Sequence, residues 1–237
     1  MKGIVTKSTG SWYTVFTENR DIIECRLKGK FRIKGIKSTN PVAVGDQVTY
    51  EYEKGKKTGV INDISERKNY IIRKSVNLSK QTHIIAANID TAFLLVTIDN
   101  PPTHPGFIDR FLATAEAYSI EAVLLFNKLD SYSEEQLEKL AILDDVYSEI
   151  GYKCIAISAT KKIGIDEVKE LMVDKTTMFS GHSGVGKSTL INAIEPDLNL
   201  KTAEVSKQHR QGMHTTTFAE MFELSFGGFI IDTPGIK

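Results

Sequence analysis

The feature that most constrains the fold of this sequence is GHSGVGKS, residues 181–188, which fits the pattern G-x-x-x-x-G-K-[ST]. It follows the apolar run TTMFS and precedes the helical run TLINAI, and strand–loop–helix is the context in which this pattern binds phosphate. Backbone N–H groups of such a loop, with the first turn of the helix, point at phosphate oxygens. The residues predicted to contact the phosphates of a nucleotide are Gly181, His182, Ser183, Gly184, Val185, Gly186, Lys187, Ser188 and Thr189.

Two side chains of this phosphate loop have chemistry of their own. Lys187 is predicted to lie against the β- and γ-phosphates, where its charge assists phosphoryl transfer, and Ser188 is predicted to ligate Mg²⁺. The side chain of His182 occupies a variable position and is expected to point away from the phosphates. Such a loop usually opens its domain, yet residues 91–180 already have the pattern of an α/β fold.

The motif NKLD, residues 127–130, follows the apolar run EAVLLF and is predicted to select the base. The carboxylate of Asp130 can accept two hydrogen bonds from guanine, whereas adenine offers no such pair of donors. Asn127 can bridge the N7 side of the base and the phosphate loop. The aliphatic part of Lys128 can cover the face of the base. The pattern N-K-x-D is weak by itself, because a strand-end turn can produce it.

The motif SAT, residues 158–160, ends the next apolar run and is weaker still when taken alone. Backbone N–H groups of Ser158 and Ala159 are predicted to face the guanine O6. Ligands of α/β sheets bind at the carboxyl ends of the strands, where NKLD, SAT and the phosphate loop all occur. Together these elements predict a site for GTP and GDP.

The remaining motif, DTPG, also ends an apolar run. Asp232 is predicted to hold Mg²⁺ through water, and the N–H of Gly235 to contact the γ-phosphate. The polar segment HRQGMHTTTF has the composition of a switch loop, in which one threonine ligates Mg²⁺ only when the γ-phosphate is present. Thr216 is the predicted ligand, with Thr215 as the alternative.

The residue that orients the attacking water is not the usual glutamine, because Ile236 stands directly after DTPG. His214 is the catalytic candidate for this role. The alternatives are His209 and a residue of a partner, and any of these histidines could instead be a solvated loop residue.

The order of the motifs predicts a circular permutation, since GTPases usually carry the phosphate loop before N-K-x-D. The same sheet can be built from a rotated sequence when the chain termini lie close together. Alternating apolar runs and helical patterns predict a parallel α/β sheet. In the helix that starts near Ser133 and Gln136, a capping-box pair, Leu137, Leu140, Ala141 and Tyr147 are predicted to be core.

Residues 1–68 predict a different structure, a small barrel of about five short strands of the oligonucleotide-binding type. Residues 69–237 are assigned to the GTPase domain, with a connector at about 69–90. Residues 1–74 carry 16 Lys and Arg against 8 Asp and Glu, a net charge of +8, and the remainder carries −8. A split of this kind indicates that the basic part binds a polyanion, although solvated surface is the alternative.

Basic residues cluster in one segment of the predicted barrel, at Lys28, Lys30, Arg32, Lys34 and Lys37. The aromatic residues near them, which could stack on bases or form barrel core, are Trp12, Tyr13 and Phe31.

No apolar run approaches the 18 residues of a membrane span, and the start has no signal-peptide pattern. Cys25 and Cys154 have no metal-ligand spacing, and a reducing cytoplasm is the expected compartment. We expect no membrane association and a monomeric chain.

A basic barrel followed by NKLD, SAT, GHSGVGKS, HTTT and DTPG in this order resembles the bacterial ribosome small subunit-dependent GTPase A family. The resemblance covers essentially the whole sequence. It implies an OB-fold domain, a permuted GTPase domain, and action on the 30S subunit and its rRNA late in assembly. It also implies slow GTP hydrolysis that the subunit stimulates, and a hydrophobic residue at the position of Ile236.

Members of that family continue past DxPG into a helical domain that holds zinc through Cys and His ligands. Zinc is therefore expected only in that further domain and not from these residues. Two other hypotheses remain open at the level of sequence. The first is an RNA-binding module in which GTP is only a conformational ligand, and the second is a P-loop ATPase or kinase, against which NKLD argues.

Overall fold

The computed structural model describes residues 1–28, 41–74, 82–198 and 219–232, and for Arg73, Lys74, Thr82, His83 and Asp232 only the backbone. The chain divides into two compact units. The first unit contains Met1–Ile89 with the described parts of Thr216–Phe222 and Ile230–Pro234. The second contains the described parts of Asp90–Thr215 with Glu223–Phe229.

The first unit contains a closed five-stranded barrel, as the turn spacing predicts. Its strands are paired in the order β1-β2-β3-β5-β4, and β4 pairs back with β1 to close the ring. All pairs are antiparallel except β3 with β5. The strands are β1 (Lys2–Ser8), β2 (Tyr13–Thr17), β3 (Ile22–Leu27), β4 (Gln47–Tyr52) and β5 (Gly59–Ile64).

Alternation of apolar and polar residues along these strands produces the barrel core. Val5, Val15 and Ile61 are fully buried there. Tyr13 belongs to the same core and is 1% exposed, so the hypothesis that it stacks on bases is wrong and the core alternative holds. Trp12 is 42% exposed, so base stacking by Trp12 stays a prediction, while Phe31 lies outside the described residues.

The segment that the sequence assigns to a connector contains a two-stranded antiparallel sheet, formed by β6 (Tyr70–Lys74) and β7 (Thr82–Ala87). A buried ion pair lies beside it in the same unit. Arg67 donates through two nitrogens to the carboxylate of Asp46, each at 2.6 Å, and also to the carbonyl of Pro41. Asp46 is fully buried and also accepts from the N–H of Ala43 at 2.8 Å.

The second unit is built on a parallel sheet in the order β10-β9-β8-β11, which confirms the predicted sheet type. All residues of β8 are buried, as expected for a strand covered on both faces. Its strands and helices are β8 (Thr91–Val96), α1 (Pro105–Ala117), β9 (Glu121–Phe126), α2 (Glu134–Ile150), β10 (Lys153–Ala156), α3 (Ile165–Met172), β11 (Thr176–Ser180) and α4 (Lys187–Ile194).

Helix α2 begins with the predicted capping box. The Ser133 hydroxyl accepts from the N–H of Gln136, and the Gln136 side chain accepts from the N–H of Ser133. Of the four residues of α2 that were predicted to be core, two are buried and two are exposed. Leu140 and Tyr147 are buried, but Leu137 and Ala141 are exposed, because the buried face is the one that carries Tyr147, whose hydroxyl donates to Asp109 of α1 at 2.8 Å.

The described chain ends with β12 (Glu220–Glu223) and β13 (Phe229–Asp232). In the first unit, Lys7 of β1 pairs with Glu220, both as strand partners and as an ion pair at 3.1 Å. In the second unit, the N–H of Phe229 donates to the carbonyl of Lys175 at 2.8 Å. Among the described residues, no helix combines the length and the apolar character needed to cross a bilayer.

Candidate functional site

The phosphate loop connects β11 to α4, and two of its glycines are required by the backbone. Gly186, the residue before α4, has φ +100°, and a Cβ there would lie 2.5 Å from the side-chain Nδ2 of Asn127. Gly181 has φ +144°, and its Cβ would lie 2.8 Å from the carbonyl oxygen of Leu95. Both positions therefore exclude a side chain, which leaves the loop N–H groups accessible at close range.

Lys187 and Ser188 are the first two residues of α4, so their N–H groups lie in the first turn of the helix, where the helix dipole favours an anion. The Lys187 ammonium folds back over the loop and donates to the carbonyls of Gly181 at 2.6 Å and His182 at 3.0 Å. The ring of His182 packs on Phe107 of α1, with centroids 4.0 Å apart. The fit of this loop to phosphate therefore rests on its backbone and on Lys187.

Asn127 connects the three motifs that the sequence separates. It is 2% exposed and follows β9 directly. Its side-chain amide donates to the carbonyl of Val185 in the phosphate loop at 2.8 Å and accepts from the N–H of Ala159 in SAT at 3.1 Å. A carboxamide has both a donor and an acceptor, which is why this position can join two loops.

Asp130 lies opposite the SAT motif. Its carboxylate accepts hydrogen bonds from the hydroxyls of Ser158 and Thr160, the latter at 3.1 Å. The pKa of Asp130 is lowered, chiefly because the Ser158 hydroxyl donates to it, with a smaller contribution from Thr160. The carboxylate is therefore held ionised, as a hydrogen-bond acceptor for a base must be.

The backbone N–H groups of SAT have partners within the protein. The N–H of Ala159 was expected to face a guanine O6, but it donates to the side chain of Asn127, and the N–H of Ser158 donates to the carbonyl of Ile163. Those two donors hold the loop. The SAT side chains have a different role, because the hydroxyls of Ser158 and Thr160 donate to the carboxylate of Asp130 and orient it.

Sequence reasoning missed the loop between β8 and α1, which has no motif. The ammonium of Lys128 donates to the carbonyl of Asn100, while the residue itself has φ +71°. Pro101 of the same loop lies beside Gly184, whose Cβ would be 3.4 Å from the proline Cδ. The proline pair that ends TIDNPP, in the segment after the apolar strand β8, was the available signal.

Several predicted site residues lie outside the described residues. They are His209, His214, Thr215, Thr216, Gly235 and Ile236. Asp232 is the last residue of β13, and its side chain also lies outside the description. Their roles in Mg²⁺ binding and hydrolysis stay predictions.

Comparison with known proteins identifies related chains over the full length. A family model described as RsgA GTPase matches residues 64–237, and one described as RsgA N-terminal domain matches residues 2–61. The chain is 66% identical over 239 residues to the small ribosomal subunit biogenesis GTPase RsgA of Flavobacterium johnsoniae, covering 100% of this chain and 74% of that protein. The RsgA of Bacteroides fragilis is 56% identical over 237 residues, covering 100% and 76%.

Solved structures show the same architecture. YjeQ from Thermotoga maritima superposes with a TM-score of 0.78 at 37% identity, over 99% of this chain and 74% of that one. YloQ, described as a circularly permuted GTPase, superposes with a TM-score of 0.72 at 29% identity, over 100% and 71%. The permuted order predicted from the motifs is thereby confirmed. With one family model covering residues 64–237 and relatives identical at more than half of their aligned positions, this chain belongs to the RsgA GTPase family.

Proposed function

We infer that this protein binds GTP and GDP, hydrolyses GTP, and acts in the biogenesis of the small ribosomal subunit. The observation that carries the inference is the position of Asn127, which joins the phosphate loop to the SAT motif through one buried amide. A base-recognition element and a phosphate-recognition element tied together in this way form one nucleotide site. The family and the names of the relatives support the same function.

For base selection, we propose that Asp130 accepts hydrogen bonds from guanine while Ser158 and Thr160 hold its carboxylate in place. Asn127 and Lys128 line the same side of the sheet, directly after β9. Loss of a charge-assisted pair of hydrogen bonds costs on the order of 1.5–3 kcal/mol, which corresponds to at least about tenfold discrimination against adenine.

For hydrolysis, we propose that Lys187 and the loop N–H groups stabilise charge on the phosphates. Ser188, Thr216 and, through water, Asp232 would hold Mg²⁺, which neutralises charge on the β- and γ-phosphate oxygens. His214 is the proposed group that orients the attacking water. Zinc is not part of this proposal for these residues.

For the partner, we propose that the barrel contacts rRNA of the 30S subunit in the cytoplasm, with the chain acting as a monomer. Its described lysines and arginines include exposed residues that face solvent, namely Lys2, Arg20, Lys28, Lys54, Lys56 and Lys57. Exposed cations of this kind displace counterions from the phosphates that they bind, and Trp12 is an exposed aromatic side chain of the same barrel.

The decisive experiment is GTP turnover by the chain with and without purified 30S subunits. We expect slow turnover alone and a marked rise with 30S. Binding of GTP without turnover in either condition would instead favour an RNA-binding module in which GTP is a conformational ligand.

Nucleotide competition tests the base. Wild-type protein should prefer GDP to ADP, and Asp130→Asn should weaken GDP binding and improve XDP binding, because xanthine has a carbonyl where guanine has its amine. Equal affinity of the wild type for GDP and ADP would exclude the guanine assignment.

A charge-reversal variant tests the partner surface. Changing Lys28, Lys30 and Arg32 to Glu should reduce 30S binding at low salt while GTP affinity is unchanged. The matched control makes the same change in charge in the GTPase unit, at Lys139, Lys153 and Lys175, and should retain 30S binding. Equal behaviour of the two triple variants would exclude the barrel segment as the RNA contact.

A further inference from the structure

Tyr132 lies two residues after Asp130 and belongs to none of the motifs. It is half-buried between the short 3-10 helix of Leu129–Ser131 and the start of α2. Its ring places the hydroxyl at the end of β9, where the base-recognition segment begins.

The Tyr132 hydroxyl connects two backbone segments. It donates to the carbonyl of Asn127 at 2.5 Å and accepts from the N–H of Ile98, in the loop after β8, at 2.9 Å. Burial raises the pKa of Tyr132, so the phenol keeps the proton that it donates to Asn127. A phenol can use both functions at once, which no apolar ring of the same shape can do.

With this contact, each of the four polar groups of Asn127 is held by a different segment. Its N–H donates to the carbonyl of Val96 at 2.9 Å, and its side chain joins Ala159 and Val185. Only the carbonyl depends on Tyr132. The tyrosine therefore fixes the peptide plane that leads from Asn127 into the rest of NKLD.

The loop after β8 has two further hydrogen bonds to residues that flank Tyr132 in the sequence. The side-chain amide of Gln136 donates to the carboxylate of Asp99 at 3.1 Å, and the ammonium of Lys128 donates to the carbonyl of Asn100. Pro101 follows directly and lies beside Gly184 of the phosphate loop. Movement at Ile98 is thus linked to both the base-recognition segment and the phosphate loop.

We propose that Tyr132 is a positioning residue for guanine recognition, acting through the carbonyl of Asn127 and the N–H of Ile98. The proposal rests on the proposed function, since it concerns the same nucleotide site. Without the hydroxyl, the carbonyl of Asn127 loses this donor, and the orientation of the peptide between Asn127 and Lys128 is less tightly fixed. Asn127, Lys128 and Asp130 then no longer share one fixed geometry.

The test variant is Tyr132→Phe in the full chain, which keeps the ring and removes both hydrogen bonds. Tyr147→Phe is the matched control, because Tyr147 is also a buried tyrosine of the same unit, and its hydroxyl bonds Asp109 between α1 and α2. Affinities for GDP and for ADP are measured by competition, with the dissociation rate of GDP and the melting temperature of each variant.

We expect Tyr132→Phe to lower the affinity for GDP by about three- to tenfold, which is the effect of losing one hydrogen bond. The loss should come mainly from faster dissociation of GDP. Its affinity for ADP should change by less than about twofold, because ADP makes no guanine-specific contact. Tyr147→Phe should lower the melting temperature without changing the ratio of the two affinities. Replacing Tyr132 by 4-aminophenylalanine, which restores a donor, should recover GDP affinity.

The outcomes separate the two levels of inference. A wild-type chain that binds GDP and ADP equally overturns the proposed function itself. A wild type that prefers GDP, with a Tyr132→Phe variant whose preference is unchanged or whose affinities for both nucleotides fall alike, overturns only the positioning role. Failure of the 4-aminophenylalanine variant to recover GDP affinity also overturns it.

Discussion

At the scale of single residues, the hydroxyl of Ser158 controls the protonation of the Asp130 carboxylate, the group proposed to recognise the base. Ser158 is fully buried, and its donation to Asp130 is the main cause of the lowered pKa of that carboxyl. A lowered pKa means that Asp130 stays ionised as the pH falls, to below the ordinary value of 3.8. Any loss of GDP affinity through protonation of Asp130 is therefore confined to pH below that value.

Ser158→Ala should raise the pKa of Asp130 towards 3.8 and weaken GDP about three- to tenfold at neutral pH, since the carboxylate loses an orienting donor. Carboxyl ¹³C NMR titration and GDP competition measure the two effects. The control is Ser131→Ala, which removes a hydroxyl bonded to the carbonyl of Lys128 rather than to the carboxylate. An unchanged pKa in Ser158→Ala would contradict the assigned cause.

The same residues mark the limit of sequence reasoning at this scale. Asn127, Asp130 and Ser158 could be named in advance because each ends an apolar run and carries the required polar groups. Thr160 and Tyr132 could not be assigned their roles, because a hydroxyl in a loop has many possible partners and only the loop geometry chooses one. Tyr13 was ambiguous because an aromatic residue beside lysines fits both a barrel core and an RNA surface.

At the scale of elements, the start of α2 depends on its capping box. Removing the Ser133 hydroxyl leaves the N–H of Gln136 without its acceptor, and loss of an N-cap costs about 0.5–2 kcal/mol. We expect Ser133→Ala to lower the free energy of unfolding by about 1 kcal/mol in urea denaturation. Thr114→Ala, in the exposed part of α1, removes a hydroxyl bonded back to the carbonyl of Arg110 and should cost less than about 0.5 kcal/mol. Equal losses in both variants would argue against the cap.

The faces of α2 show why helical periodicity alone was insufficient. Apolar residues occur around most of this helix, so more than one face fits a 3.6-residue period. Ile142, Val146 and Ile150 are exposed, while Leu140 and Tyr147 are buried. The choice is made by the tertiary contact of Tyr147 with Asp109, and no local pattern contains that information.

At the scale of the whole molecule, the buried pair of Asp46 and Arg67 is, within the described residues, the polar contact with the largest expected effect on stability. The Asp46 side chain is fully buried and that of Arg67 is 7% exposed. Arg67→Met would leave an uncompensated buried carboxylate, and breaking a buried pair costs about 3–5 kcal/mol. Lys139→Met is the control, because its ion pair with Glu135 is exposed and should contribute less than about 1 kcal/mol. Urea unfolding followed by Trp12 fluorescence reports on the unit that contains the pair, and a loss below about 1 kcal/mol in Arg67→Met would contradict the expectation.

The general architecture followed from the sequence because the motifs carry their own structural context. An apolar strand with a polar end recurs at NKLD, SAT, the phosphate loop and DTPG, so their order along the chain was enough to predict a permuted sheet. The sheet of β6 and β7 and the Asp46–Arg67 pair were not foreseen, because their contacts join residues that share no pattern.

The hydrogen bond from Asn127 to Val185 spans 58 residues, and NKLD, the motif proposed to recognise the base, comes first in the chain. A translating ribosome therefore delivers NKLD well before the loop that holds the phosphates. At about 5–20 residues per second, the interval is roughly 3–12 s. During that time the side-chain amide of Asn127 has been synthesised, but its acceptor, the carbonyl of Val185 in the phosphate loop, has not. GTP can stabilise the nascent domain only after the loop has emerged, so nucleotide acts late in biosynthesis, on a sheet whose first strands are already made.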